Sequence, residues 1–99
     1  MRVSQTEARK IREMARSEFG PGTRVLLFGS RTDDSARGGD IDLFVEVDHP
    51  LTNRAAAAAR LAAKLQLTLG DQRIDVLLVD PMTSPAAIHE AARQGGIAL

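Results

Sequence analysis

The fold is decided by residues 24–47, which read RVLLFGSRTDDSARGGDIDLFVEV. The first part, Arg24–Phe28, is a short and mostly apolar run between glycines, which predicts a buried strand. From Ile41 to Val47 apolar and polar residues alternate, which predicts a second strand with one core face and one acidic face. The intervening residues 29–39 are polar and contain glycine. The stretch therefore predicts two strands joined by a polar connection.

Two carboxylates and a Gly-Ser pair mark the ends of these strands. Asp40 and Asp42 are two residues apart, so on a strand they point to the same face, where two hard oxygen ligands suggest a divalent cation. Gly29 lets backbone N–H groups approach an anion closely, which suggests a phosphate near Gly29 and Ser30. The alternatives are that Ser30 only caps a helix and that the two acids are solubilising charges at a loop edge.

The rest of the chain completes a small α/β fold. The predicted elements are a helix over Thr6–Phe19, a strand over Arg24–Phe28, a strand over Ile41–Val47, a helix over Arg54–Leu69, a strand over Arg73–Val79 and a last helix from Ser84. A capping box at residues 4–7 begins the first helix, and residues 97–99 form a short apolar tail. This order predicts a small β-sheet packed with helices, in one domain spanning residues 1–99.

Composition excludes several classes of protein and site. The 99 residues include 13 basic and 13 acidic side chains, and this balance argues against strong general nucleic-acid binding. The arginines and lysine within residues 9–16 are expected to form a solvated helix face. There is no cysteine, so thiolate metal sites and disulfides are excluded. Without an apolar run of membrane-spanning length or a signal-peptide core, a cytoplasmic protein is expected.

A third carboxylate, Asp75, lies inside the otherwise apolar run Ile74–Val79. A carboxylate in such a run is costly unless it is ligated, hydrogen-bonded or at the solvent edge. If the third strand lies beside the second, Asp75 joins Asp40 and Asp42 on one face. Three carboxylates and an anion-binding turn would form a two-metal site for phosphoryl transfer. The alternative is an edge-strand charge that discourages aggregation.

Taken together, the Gly29-Ser30 turn, the Asp40-x-Asp42 pair that begins an apolar strand and the later Asp75 resemble the nucleotidyltransferase superfamily of the DNA polymerase β type. The most similar branch is that of the minimal nucleotidyltransferases, the MNT proteins. MNT proteins are often antitoxins beside HEPN-domain ribonuclease toxins. The resemblance extends over nearly the whole chain and implies a polymerase β-like nucleotidyltransferase fold.

The resemblance also implies a role for each motif residue. Gly29 and Ser30 would bind the nucleotide's phosphates, and Asp40 and Asp42 would bind two Mg²⁺ ions. Asp75 would complete the metal site and deprotonate the acceptor hydroxyl.

A further residue follows the Gly-Ser turn directly. The resemblance implies that this residue, Arg31, contacts the triphosphate, and the alternative is a plain surface arginine. No P-loop or dinucleotide-binding motif competes with this interpretation.

The implied function is transfer of a nucleoside monophosphate, AMP from ATP, to a hydroxyl on a partner. Because 99 residues leave little chain for an acceptor-binding domain, a partner protein is expected to supply the acceptor. By resemblance, that partner is a HEPN toxin. One alternative is a catalytically silent module that binds nucleotide or neutralises its toxin by contact alone, and another is modification of a small molecule. A small domain with apolar helix faces also favours a homo-oligomer.

Overall fold

The computed structural model describes residues 3–28, 41–70, 73–82 and 95–99. Its elements are α1 (Gln5–Phe19), β1 (Arg24–Phe28), β2 (Ile41–Glu46), α2 (Arg54–Leu69), β3 (Ile74–Val79) and β4 (Ile97–Ala98). The bounds of β1 and α2 are those predicted, and those of α1, β2 and β3 differ by one residue at one end. The helix predicted from Ser84 lies outside the described residues.

Both described helices begin at a polar cap. The Ser4 hydroxyl accepts the Glu7 backbone N–H at 3.1 Å, and the Glu7 carboxylate accepts the Ser4 backbone N–H at 3.1 Å, which confirms the predicted capping box. The side chain of Asn53 accepts the N–H of Ala56 in the same way at the start of α2. Neither described helix has the length and apolar character needed to cross a bilayer.

The sheet is mixed, with the strand order β3-β2-β1-β4. Strand β1 is antiparallel to both β2 and β4, whereas β2 and β3 are parallel. Parallel neighbours need a crossover connection, and α2 supplies it. The apolar tail at residues 97–99 contains β4, which pairs with Leu26 and Leu27 of β1. The sequence did not indicate this strand because two residues are too few to show an alternating pattern.

One face of the sheet packs against α1 and α2 to form the main core. Its buried side chains are Ala8, Ile11, Ala15 and Phe19 from α1, Val25 and Leu27 from β1, Ile41, Leu43 and Val45 from β2, Leu61 and Leu65 from α2, and Ile74 and Leu78 from β3. The predicted core face of β2 is therefore confirmed. Helix α2 packs on the sheet through leucines and through Ala57 and Ala58, which are partly buried.

The opposite face of the sheet, called here the open face, is not uniformly acidic. Phe44 is buried there with Val79, and its ring meets that of Phe28 edge to face, with the ring centroids 6.1 Å apart. A Cβ at Gly96 would lie 2.4 Å from the ring of Phe28, so glycine lets the chain beside β4 pack against this cluster. The prediction that this face of β2 is acidic was therefore incomplete, because Phe44 forms an apolar patch between Asp42 and Glu46.

A buried carboxylate, Asp80, ties the end of β3 to the chain before α2. Its Oδ2 accepts the N–H of Leu51 at 2.8 Å, and its Oδ1 accepts the N–H of Met82 at 2.9 Å. The residue is only 3% exposed. Its position explains how a charge is tolerated at the end of an apolar strand, because backbone donors satisfy both oxygens.

Replacing Asp80 by Ala is expected to lower the free energy of unfolding by about 2 kcal/mol, because it leaves part-buried backbone donors without an acceptor. Urea denaturation followed by circular dichroism measures the change. The matched control is Asp48→Ala, since Asp48 is exposed, and that change is expected to stay within about 0.5 kcal/mol. Equal losses in the two variants would contradict a structural role for Asp80.

Candidate functional site

Two of the carboxylates predicted for the site lie side by side in the sheet. Asp42 of β2 and Asp75 of β3 are register partners. Neighbouring strands are about 4.8 Å apart, and register partners in a parallel pair project to the same side. Because Ile41, Leu43 and Ile74 face the core, Asp42 and Asp75 lie on the open face. The juxtaposition expected from a third strand beside the second is present in the structure.

These two acids sit at one end of the open face and can be reached from solvent. Asp42 is half-buried and is the register partner of Phe28 in β1. The side chain of Asp75 is 51% exposed, and its Oδ2 lies 3.6 Å from the Nε of Arg73. An exposed ion pair of this length contributes little to stability. The contact between Arg73 and Asp75 therefore does not explain why two acids lie side by side here.

The other predicted residues, Gly29, Ser30, Arg31 and Asp40, lie outside the described residues. The residues that flank them, Phe28 and Ile41, end β1 and begin β2. Phe28 and Asp42 are register partners, so this end of the sheet is also the end where Asp42 and Asp75 lie. The roles of the four residues stay predictions.

The side chains at this end of the sheet suit a hard cation. Asp42 and Asp75 offer carboxylate oxygens, which are the ligands that Mg²⁺ takes from proteins. Within the described ranges no group of three metal-binding side chains comes together. A two-ion site on this face therefore needs a further ligand, and the predicted one is Asp40, which precedes Ile41 in the sequence.

Two other polar residues, Arg73 and His49, lie at opposite ends of the sheet. The sequence analysis gave Arg73 no role, although its i, i+2 spacing from Asp75 on the predicted strand Arg73–Val79 was the available signal. His49 lies beyond the other end of β2, where its Nδ1 is 2.9 Å from Asp48 Oδ1. This hydrogen bond lowers the pKa of Asp48, which is exposed. His49 is thus a surface residue.

Comparison with known proteins identifies the family. The family model of the nucleotidyltransferase domain matches residues 8–93. A search of curated proteins finds no significant match.

Solved structures of toxin–antitoxin complexes resemble the chain closely. The MntA-HepT toxin–antitoxin is 29% identical with a TM-score of 0.64, and the match covers 96% of this chain and 70% of that one. A complex of tri-AMPylated Shewanella oneidensis HEPN toxin with MNT antitoxin is 31% identical with a TM-score of 0.63, covering 95% and 69%. A toxin–antitoxin with AMP-PNP is 32% identical with a TM-score of 0.65, covering 92% and 70%.

These matches confirm the predicted fold class and the predicted enzyme class. The observed mixed four-stranded sheet with helices on one face is the fold shared with those structures. The family model spans nearly the whole chain, and the similarity to the solved structures extends over more than nine tenths of it. The chain belongs to the nucleotidyltransferase domain family, in the branch represented by the MNT antitoxins.

Proposed function

We propose that this chain transfers AMP from ATP to a hydroxyl group of a HEPN-domain partner protein, in the cytoplasm and as a single domain. The observation that carries the proposal is the pair of carboxylates, Asp42 and Asp75, in register on the open face of the sheet. The similar complexes support the choice of nucleotide and acceptor, since one contains a tri-AMPylated HEPN toxin and another contains AMP-PNP.

In this proposal the chain holds the nucleotide where β1 ends and β2 begins. Gly29 and Ser30, which follow Phe28 in the sequence, bind the phosphates, and Arg31 contacts the triphosphate. Asp40, Asp42 and Asp75 would hold two Mg²⁺ ions. Bound Mg²⁺ would offset the charge of the triphosphate and stabilise the charge that develops during transfer.

The role proposed for Asp75 is to accept the proton of the acceptor hydroxyl. Its side chain is half exposed on the open face, so an acceptor from another protein can reach it. The hydroxyl oxygen attacks the α-phosphorus, the bond between the α-phosphorus and the bridging oxygen breaks, and pyrophosphate leaves. The proton passes to the Asp75 carboxylate. The Nε of Arg73, two residues earlier in the chain, lies 3.6 Å from this carboxylate.

The proposal is tested by incubating the chain with Mg²⁺, ATP and the HEPN-domain product of a neighbouring gene, and by reading intact masses. We expect AMP-sized increments on the partner, and we expect them to disappear with EDTA and with Asp75→Asn. The matched control is Asp48→Asn, an exposed acid beyond the other end of β2, which is expected to leave transfer unchanged.

Two results would overturn this proposal. A stable complex without any increment would identify a contact-only antitoxin. Increments that persist in Asp75→Asn at the wild-type rate would place the chemistry elsewhere.

A further inference from the structure

A cavity of about 440 Å³ lies at the edge of the sheet beside β1 and β4, away from Asp42 and Asp75. Three arginines line it, namely Arg12 and Arg16 of α1 and Arg24 of β1. Apolar side chains line it as well, among them Leu26 and Phe44 of the open face. The cavity, called here the arginine groove, thus combines positive walls with an apolar floor.

The charge in the arginine groove is only partly compensated. The Nε of Arg24 is 2.9 Å from Glu46 Oε1. Within the part of the chain that the structure describes, no carboxylate pairs with Arg12 or Arg16. Like charges at i, i+4 on a helix weaken the helix by a few tenths of a kcal/mol. Arg16 lies in the last turn of α1, where a cation is favourable, but Arg12 and Arg16 repel each other, and an anion between them would relieve that repulsion.

The groove is continuous with the proposed catalytic end of the open face. Phe44 lines the groove, and it is two residues from Asp42 on the same face of β2. Glu46, at the groove, is four residues from Asp42, which corresponds to about 13 Å along a strand. Along the strand direction, an extended segment of about four residues therefore spans from the level of Glu46 to the level of Asp42 and its register partner Asp75.

We propose that the arginine groove docks an acidic, partly apolar extended segment of the acceptor protein. This inference rests on the proposed function, because it names the kind of substrate segment that the same site takes. Carboxylates of the segment pair with Arg12 and Arg16, and its apolar side chains lie against Leu26 and Phe44. The acceptor hydroxyl then lies at least about four residues along the segment from those carboxylates, next to Asp75.

The lining favours a protein segment over a single-stranded nucleic acid. Binding of single strands relies on aromatic rings on which bases stack. The chain has three Phe and no Trp or Tyr, and none of the three is exposed. Arginine pairs well with a carboxylate through two parallel hydrogen bonds, and an apolar floor suits side chains such as Leu.

The test uses a fluorescein-labelled peptide of alternating Glu and Leu, with binding followed by fluorescence anisotropy in the absence of ATP and Mg²⁺. We expect binding to weaken at least about 10-fold in Arg12→Glu/Arg16→Glu, because two attractive charges become repulsive. The matched control is Lys10→Glu/Arg60→Glu, which changes net charge equally at exposed positions away from the groove. That control is expected to change binding less than about 2-fold, as is usual for screened surface charges. Circular dichroism checks that both variants fold.

Several outcomes would overturn the inference. These are no binding of the peptide, equal weakening in the two double variants, or tighter binding of a single-stranded RNA or of tripolyphosphate than of the peptide. The assay also separates this inference from the proposed function, because no nucleotide is present. Groove-dependent peptide binding without AMP transfer to the partner overturns only the proposed function, whereas transfer with charge-insensitive peptide binding overturns only the docking site.

Discussion

Under the proposed function, replacing Asp42 by Asn is expected to slow AMP transfer by about 1,000-fold, since the proposal makes Asp42 a metal ligand, and such a carboxylate accounts for several kcal/mol of transition-state stabilisation. Asn keeps the shape of the side chain and removes its charge. Because Asp42 is half-buried on the open face and not in the main core, the fold is expected to survive. The transfer rate is read from intact masses over time, and the melting temperature is read by circular dichroism.

The effect of Mg²⁺ and nucleotide on the melting temperature tests the proposed role of Asp42 without requiring AMP transfer. A ligand that binds only the folded state raises the unfolding temperature. We therefore expect Mg²⁺ with a non-hydrolysable ATP analogue to raise the melting temperature of the wild type, and to raise that of Asp42→Asn much less. The control Asp48→Asn is expected to respond as the wild type does. If Asp42→Asn lost activity and also melted at a much lower temperature than the wild type without ligand, Asp42 would have a structural role instead.

The elements that the sequence predicted well are those specified by local signals. Helix α1 begins at a capping box that uses side chains only three residues apart, and the glycine at its end, Gly20, has a φ of +103°. Strand β1 and helix α2 are bounded by residues that stop regular structure on both sides. The alternation of apolar and polar residues in β2 predicted the correct core face, because successive side chains of a strand point to opposite faces of the sheet.

The features that the sequence did not indicate depend on contacts between distant residues. Strand β4 has two residues and exists through its pairing with Leu26 and Leu27, more than 60 positions earlier in the chain. Phe44 is buried because Phe28 and Val79 flank it on neighbouring strands. Sequence analysis alone also gave no role to Asp80, whose backbone partner Leu51 is 29 positions away.

The candidate site shows the same division. The i, i+2 spacing predicted that Asp40 and Asp42 share a face, but only the parallel pairing of β2 and β3 brings Asp75 beside Asp42. The sequence alone left open whether the third strand lies beside the second. The family resemblance implied that Asp75 completes the metal site, and therefore that the two strands are neighbours. Arg73 was missed because its i, i+2 spacing from Asp75 is a weak signal for an exposed arginine until its partner is known.

Replacing Leu61 by Ala is expected to lower the free energy of unfolding by about 3 kcal/mol. Leu61 is 0% exposed and packs in the main core between α2 and the sheet, so the change removes buried apolar atoms and leaves a cavity. Domains of this size are stable by only about 5–15 kcal/mol, so the loss is a large fraction of the total. It corresponds to a fall in melting temperature on the order of 15 °C.

The same substitution at Leu67 isolates the contribution of burial. Leu67 is on the same helix and is 88% exposed, so Leu67→Ala makes the same change in helix propensity without removing core contacts. That variant is expected to stay within about 0.5 kcal/mol of the wild type in urea denaturation. If Leu67→Ala destabilised the chain as much as Leu61→Ala, the loss would come from the weakened helix and not from lost core packing. In that case the packing of α2 on the sheet would not be what keeps β3 and its Asp75 beside β2.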